Sequence, residues 1–125
     1  QPVTGFALMG GIFAEAVDLT GDQLVGVVVV GAGLPHVHVE RDLIRSHFGD
    51  EGEHFAYQYP GMQRVLQTAG RLIRTENDRG VLCLVDHRFR QPFYQNMFPP
   101  HWQTRYLRHT DELGPAVERF WAGPN

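Results

Sequence analysis

The sequence predicts an α/β fold, a mostly parallel sheet flanked by helices. Two apolar runs, residues 24–30 and 81–85, are rich in β-branched or aliphatic side chains and do not alternate with polar positions. Such runs are typical of parallel strands covered on both faces. Between them, residues 60–74 place apolar side chains at helical spacing behind Pro60, which favours a helix start. A helix that leads into a strand is typical of α/β folds, and 125 residues suffice for one domain with a modest core.

The first half of the chain supplies further elements. Residues 6–9 are apolar and are followed by Gly10 and Gly11, which predicts a buried strand that ends in a tight loop. Residues 39–48 have apolar side chains at helical spacing and are predicted to form a helix. The glycine-rich acidic segment 49–53 is predicted to be a mobile loop.

The second half is predicted to close the fold. Residues 77–80 read Asn-Asp-Arg-Gly and predict a turn into the strand at 81–85. Residues 91–102 interleave aromatic side chains with prolines; we expect them to pack over the sheet, the alternative being base stacking with single-stranded DNA. A last helix is predicted at 110–121, with its apolar side chains packed onto the body.

The strongest chemical signal is a Q-x-x-G-R-x-x-R pattern formed by Gln67, Gly70, Arg71 and Arg74. On a helix these polar side chains lie on the face opposite the apolar stripe, with the arginines one turn apart. Two guanidinium groups at this spacing can bind a terminal phosphate and stabilise the charge that develops in phosphoryl transfer. Glycine costs about 1 kcal/mol inside a helix, which indicates a close approach at Gly70. For an arginine pair taken alone, a solvated helix face is the alternative interpretation.

This pattern resembles motif VI of superfamily two helicases, and further segments resemble the XPD-like and DinG-like branch in the same order. Residues 10–21 are similar to motif V, in which a Glu-Gly-aliphatic-Asp core precedes a glycine. The other similar segments are 27–35, 59–62, 78–81 and 85–89. The resemblance covers nearly the whole chain. It implies that residues 1–125 are the C-terminal portion of the second RecA-like (P-loop NTPase-type) motor domain, within a longer protein.

The resemblance also implies roles for single residues. Arg71 and Arg74 are expected to contact the γ-phosphate of ATP, and Gln67 to couple the nucleotide to domain closure. Asp18 is expected on the nucleotide side, bonded to a ribose hydroxyl or to a motif VI arginine.

On the DNA side, the resemblance implies that Glu15 and the backbone amides of Gly10 and Gly11 act at the DNA backbone. Ala16 departs from the family pattern, which has glycine there, so the resemblance does not extend to close phosphate approach at that position. A plain tight turn is the alternative for the two glycines.

Several features belong elsewhere in the resembled helicases. The sequence has no G-x-x-x-x-G-K-[ST] loop, no lysine, no D-E-A-H-type motif and a single cysteine, Cys83, so it cannot form a four-cysteine cluster. We therefore expect ATP with Mg²⁺ to be bound mainly by an absent first RecA-like domain, and the fragment alone to be inactive. Expected partners are that domain and single-stranded DNA, with self-association through an exposed sheet edge.

Composition restricts the other interpretations. A formal charge of −3 and a pI near 6.1 argue against a freestanding nucleic-acid binder. The lone Cys83 and the absence of a signal peptide or membrane-length apolar run predict a cytoplasmic protein without membrane partners. His36, His38 and Glu40 have the types and spacing of zinc ligands, but no fourth ligand is evident, so we predict solvated loop histidines and no metal. A non-catalytic α/β module that binds nucleic acid or protein is the alternative function.

Overall fold

A computed structural model describes residues 1–11, 19 and 23–124 of the chain. Its strands are β1 (Gly26–Val30) and β2 (Val81–Val85), and its α-helices are α1 (Val39–Phe48), α2 (Tyr59–Ala69), α3 (Pro92–Gln95) and α4 (Leu113–Ala122). Shorter helical turns lie at Gly49–Glu51, His54–Gln58, His87–Arg90 and Thr110–Glu112. Among these residues no helix has the length and apolar character needed to cross a membrane.

The two strands form a parallel pair, as predicted. Gly26 is opposite Val81 and Val30 is opposite Val85, so the strands run together over five residues. Helices flank this small sheet, and the α/β fold class is therefore confirmed. Cys83 lies half-buried in β2, where burial raises the pKa of its thiol.

The prediction that the strands are covered on both faces was wrong for β1. Val29 is 2% exposed and belongs to the core, whereas Val28 and Val30 are 65% and 73% exposed. Alternate residues of a strand point to opposite faces. In the part of the chain that the structure describes, the core therefore lies against one face and the other is open.

The core is formed by residues of β1 and the loop after it, of α2 and of the segment that follows β2. Its buried members are Val29, Ala32, Met62, Val65, Phe89 and Tyr94. Phe89 and Tyr94 both follow β2, and their rings meet edge to face with centroids 5.9 Å apart. Tyr94 belongs to segment 91–102, and its burial in the core agrees with the expectation that this segment packs over the sheet.

Helix α1 has the bounds that the sequence predicted, and hydrogen bonds connect it to the helical turn before α2. The guanidinium of Arg41 donates to the carbonyl oxygen of Ala56 at 3.0 Å, and the Tyr57 hydroxyl donates to Asp42 at 2.9 Å. Residues 49–53 are helical rather than a loop, because a short turn at Gly49–Glu51 leads directly into the helical turn before α2.

Helix α2 ends at Ala69, five residues before the predicted end. The amide of Gly70 still donates to Leu66, but the amide of Leu72 donates to Ala69, which is the tighter bond of a turn. The Leu72 side chain is 5% exposed and packs against Gly80, where an added Cβ would lie 2.4 Å from it. The chain therefore leaves the helix in a conformation that buries Leu72.

The N-terminal strand prediction was also wrong. Residues 6–9 form no strand, and Phe6 is 96% exposed, because no described strand lies beside this segment to pair with it. The tight turn after it is present: Gly10 has a φ of 78°, and the Gly11 amide donates to the Leu8 carbonyl oxygen at 3.0 Å.

The last helix exists, but its predicted packing was wrong in part. No residue of α4 is buried, and Phe120 and Trp121 are exposed. Instead of entering the core, these two rings flank the guanidinium carbon of Arg79, at 4.5 and 5.4 Å from the ring centroids. The same side chain donates to the Phe120 carbonyl oxygen.

Candidate functional site

Four residues of the Q-x-x-G-R-x-x-R pattern line one open depression. Gln67, Gly70, Arg71 and Arg74 surround a volume of about 430 Å³ at the carboxyl end of α2. Gln67 is exposed on the last helical turn, whereas Arg71 and Arg74 lie beyond the helix. The expectation that both arginines lie on the helix was therefore wrong, yet the fold brings them to one surface with Gln67.

The helix end fixes the first arginine. The Arg71 amide donates to the Thr68 carbonyl oxygen at 3.3 Å, and Leu72 is buried next to it. Arg71 is half-buried and Arg74 is exposed. Gly70 continues the backbone with ordinary helical angles, and an added Cβ there would lie 3.2 Å from the Leu66 carbonyl oxygen.

The second arginine lies in a short loop organised by Asp78. One carboxylate oxygen of Asp78 accepts hydrogen bonds from the backbone amides of Arg74 and Thr75, both at 2.8 Å. The Asp78 amide in turn donates to the Thr75 carbonyl oxygen at 3.1 Å, which closes the loop. The Arg74 amide, followed by the Thr75 amide, lowers the pKa of Asp78 below its usual range, so the carboxylate stays charged at neutral pH.

The electrostatics of the depression depend on the guanidinium groups. The carboxyl end of a helix carries partial negative charge, which favours nearby cations and disfavours anions. An anion at this surface must therefore be held by the guanidinium groups of Arg71 and Arg74, which carry N–H donors and no acceptors. Arginine can bind phosphate oxygens with two parallel hydrogen bonds, which suits a terminal phosphate.

The glycine turn lies at the other end of α2. Gly61, in the first turn of α2, meets the loop after β1, and an added Cβ at Gly33 would contact Met9 at 3.4 Å. Met9 directly precedes Gly10, so the turn sits near the amino end of α2, roughly 16 Å of helix away from the arginines. The structure does not bring the glycines and the arginines together. The Gly11 amide is already bonded within the turn.

The remaining candidate residues belong to the motif V segment and to the histidine-containing segment before α1. Glu15 and Asp18 lie outside the described residues. A ring nitrogen of His38 accepts a hydrogen bond from the Glu40 amide at 3.4 Å, so His38 caps the start of α1 and has a structural role. Within residues 1–11, 19 and 23–124, no group of three potential ligands is placed to hold a metal ion.

Sequence reasoning missed two aspartates. Asp78 was placed in a turn, but its bonds to the Arg74 loop were not foreseen; the signal was an Asp four residues after the second arginine. Asp86 follows β2 and forms a bidentate pair with Arg88, at 2.9 and 2.7 Å. That pairing lowers the pKa of Asp86 to about 2. Asp86 also accepts the Arg88 amide, so it caps the turn that carries Phe89 into the core.

The sequence comparison defines the class of this domain. The family model of the helicase C-terminal domain matches residues 2–105. The chain therefore belongs to the helicase C-terminal domain family, which agrees with the resemblance to XPD-like and DinG-like superfamily two helicases. Helix α4 lies beyond the matched residues.

Individual relatives are also helicases by name. A Methanocaldococcus jannaschii protein named "Probable ATP-dependent helicase" is 37% identical over 101 residues, covering 71% of this chain and 16% of the relative. The "Regulator of telomere elongation helicase 1" of Mus spretus is 29% identical over 127 residues, covering 91% of this chain and 10% of the relative. The "ATP-dependent DNA helicase chl1" of Schizosaccharomyces pombe is 24% identical, covering 92% and 15%. The chain thus spans about a sixth or less of these relatives. No solved structure matches it.

Proposed function

We propose that this domain works within an ATP-dependent DNA helicase, where it supplies Arg71 and Arg74 to an ATP molecule bound mainly by a first RecA-like domain. The observation that carries the proposal is the convergence of Gln67, Arg71 and Arg74 on one open depression. Membership of the helicase C-terminal domain family and the names of the relatives support it.

The chemistry follows from the charge of the guanidinium groups. During phosphoryl transfer, negative charge spreads over the oxygens of the transferred phosphoryl group, and positioned arginines stabilise it. Mg²⁺ would be held with the nucleotide by the first domain, since no residue of this sequence forms a magnesium motif of the expected type. Gln67 lines the same depression as both arginines, and it would couple γ-phosphate binding to a movement of α2 and so to domain closure. Asp18 would act from the same side on the ribose or on an arginine.

Closure of the two domains would make the site complete. When the arginines meet the γ-phosphate, this domain is drawn toward the first one, and hydrolysis releases it. Repeated closure would move single-stranded DNA, for which Glu15 and the Gly10 amide are the candidate contacts. Since the Gly11 amide donates within its own turn, its proposed part is to shape that turn. The proposal places the protein in the cytoplasm and leaves the sheet edge as a surface for self-association.

The test uses the full-length enzyme. Arg71→Ala and Arg74→Ala are expected to lower DNA-stimulated ATP hydrolysis by about 10³-fold or more, as for other transition-state arginines, with DNA binding largely unchanged. Arg64→Ala is the matched control, because Arg64 is on α2, the helix that leads to the two arginines, but does not line the depression.

Three outcomes separate the alternatives. Loss in both test variants with normal turnover in the control supports the proposal. Wild-type turnover in both test variants contradicts the assigned roles. A full-length protein that hydrolyses no ATP at all favours the non-catalytic interaction module.

A further inference from the structure

We propose that Asp78 is a positioning residue for Arg74, holding its backbone so that the guanidinium reaches the phosphate. This inference rests on the proposed function of the arginines. Its basis is the pair of 2.8 Å hydrogen bonds from the amides of Arg74 and Thr75 to a single oxygen of the Asp78 carboxylate.

The two arginines are held by different means. Arg71 is fixed by the end of α2, where its amide bonds to Thr68, and by the buried side chain of Leu72 that follows it. Arg74 lies two residues beyond Leu72, on an exposed part of the chain. There the backbone amide of Arg74 bonds to Asp78. The carboxylate therefore does for Arg74 what the helix end does for Arg71.

The geometry of these bonds favours positioning over simple charge pairing. Asp78 contacts the main chain at Arg74, so it sets where that side chain starts, and Arg74 lines the depression. Hydrogen bonds from amides to a carboxylate are stronger than neutral ones, which suits the task of ordering an exposed loop. The lowered pKa of Asp78 is consistent with this arrangement.

Small displacements matter for such an arginine. A shift of about 1 Å in a catalytic group can cost about 100-fold in rate. Without the carboxylate, the amides of residues 74 and 75 would bond to water, and the loop would sample several conformations. We therefore expect Asp78→Ala in the full-length enzyme to lower kcat for DNA-stimulated ATP hydrolysis by about 10- to 100-fold, with a smaller change in KM for ATP.

The controls separate geometry from charge and from loop stability. Asp78→Asn keeps an acceptor oxygen at the same distance from the backbone and removes the charge, so it should retain most of the kcat. Asp78→Glu keeps the charge but moves the oxygen by one methylene, so it should lose kcat. Glu76→Ala removes an exposed carboxylate of the same loop that is not hydrogen-bonded to the Arg74 amide, and should behave as wild type.

A double variant tests whether Asp78 acts through Arg74. If it does, Arg74→Ala with Asp78→Ala should be no slower than Arg74→Ala alone, because the effects of coupled residues do not add. Full multiplication of the two losses would overturn the inference. So would an Asp78→Glu enzyme that is faster than Asp78→Asn, since charge would then outweigh geometry.

Failure of this inference differs from failure of the proposed function. Loss of turnover in Arg74→Ala, with Asp78→Ala no different from Glu76→Ala, overturns the role of Asp78 alone. Wild-type turnover in Arg74→Ala overturns both. If Asp78→Ala does not fold, as judged by circular dichroism, the comparison of the Asn and Glu variants still decides the matter.

Discussion

A methyl group at position 61 has no room between α2 and the loop that follows β1. A Cβ added to Gly61 would lie 2.7 Å from the carbonyl oxygen of Ala32 and 3.2 Å from the carbonyl carbon of Gly33. Both of these atoms are in the main chain, so a rotation of the Leu34 side chain, whose Cδ2 would lie 3.1 Å away, would not relieve the contact with them. Gly61→Ala would therefore push the start of α2 away from the strand it packs against.

The expected cost is the difference of two opposing effects. Forcing a methyl group into a close-packed site costs about 1–3 kcal/mol, and a main-chain contact below 3 Å places Gly61 at the upper end. Alanine is favoured over glycine in a helix by about 1 kcal/mol, which offsets part of that cost. The net destabilisation is about 2 kcal/mol, equal to about a 30-fold change in the ratio of folded to unfolded protein.

The assay is urea-induced unfolding followed by circular dichroism, with the thermal midpoint as a second measurement. A loss of about 2 kcal/mol lowers the melting temperature by about 8 °C for a chain of this length. Gly114→Ala is the control, because no atom lies within 4 Å of its added Cβ in α4, and it should be neutral or stabilising. An unchanged or raised unfolding midpoint for Gly61→Ala would refute the close contact between α2 and the loop.

Two further predictions concern stability. Asp86 has a pKa lowered from the usual 3.8 to about 2 by Arg88, so its ionised form favours the folded state by about 2 kcal/mol above pH 4, and this contribution is lost as the pH falls from about 4 to 2. Asp86→Asn should therefore be less stable than wild type at pH 7, with a difference that shrinks toward pH 2; a pH-independent difference in denaturant titrations would contradict this. Met62→Ala empties a fully buried site in α2 and should cost about 2–5 kcal/mol in the same titrations, whereas the exposed Val37→Ala should change stability by less than about 0.5 kcal/mol.

Local patterns were sufficient where local forces decide the structure. Strand β2 and helix α1 have the predicted bounds, since a short aliphatic run and an amphipathic repeat each specify one conformation. The grouping of Gln67 with both arginines was also predicted. The three side chains still line one depression although α2 ends at Ala69, because the turn that follows keeps the arginines on the same side as Gln67.

Specific contacts outside the regular helical and strand patterns decided the rest. The end of α2 depends on the burial of Leu72 against Gly80, eight residues away, and the path of the Arg74 loop depends on Asp78. Neither contact is visible in a helical pattern. Residues 6–9 have the composition of a strand, but composition does not reveal whether a neighbouring strand is present to accept its hydrogen bonds. In the same way, the composition of β1 does not reveal whether another element covers its second face.

The contact between Arg79 and the rings of Phe120 and Trp121 joins a segment inside the family match to a helix outside it. Arg79 directly follows Asp78, while the rings it contacts belong to a helix outside the family match. A tilt of that helix must either carry the arginine along, and with it the neighbouring aspartate, or give up the stacking on both rings. A displacement of the last helix would therefore act within a few residues of the depression that Arg71 and Arg74 line.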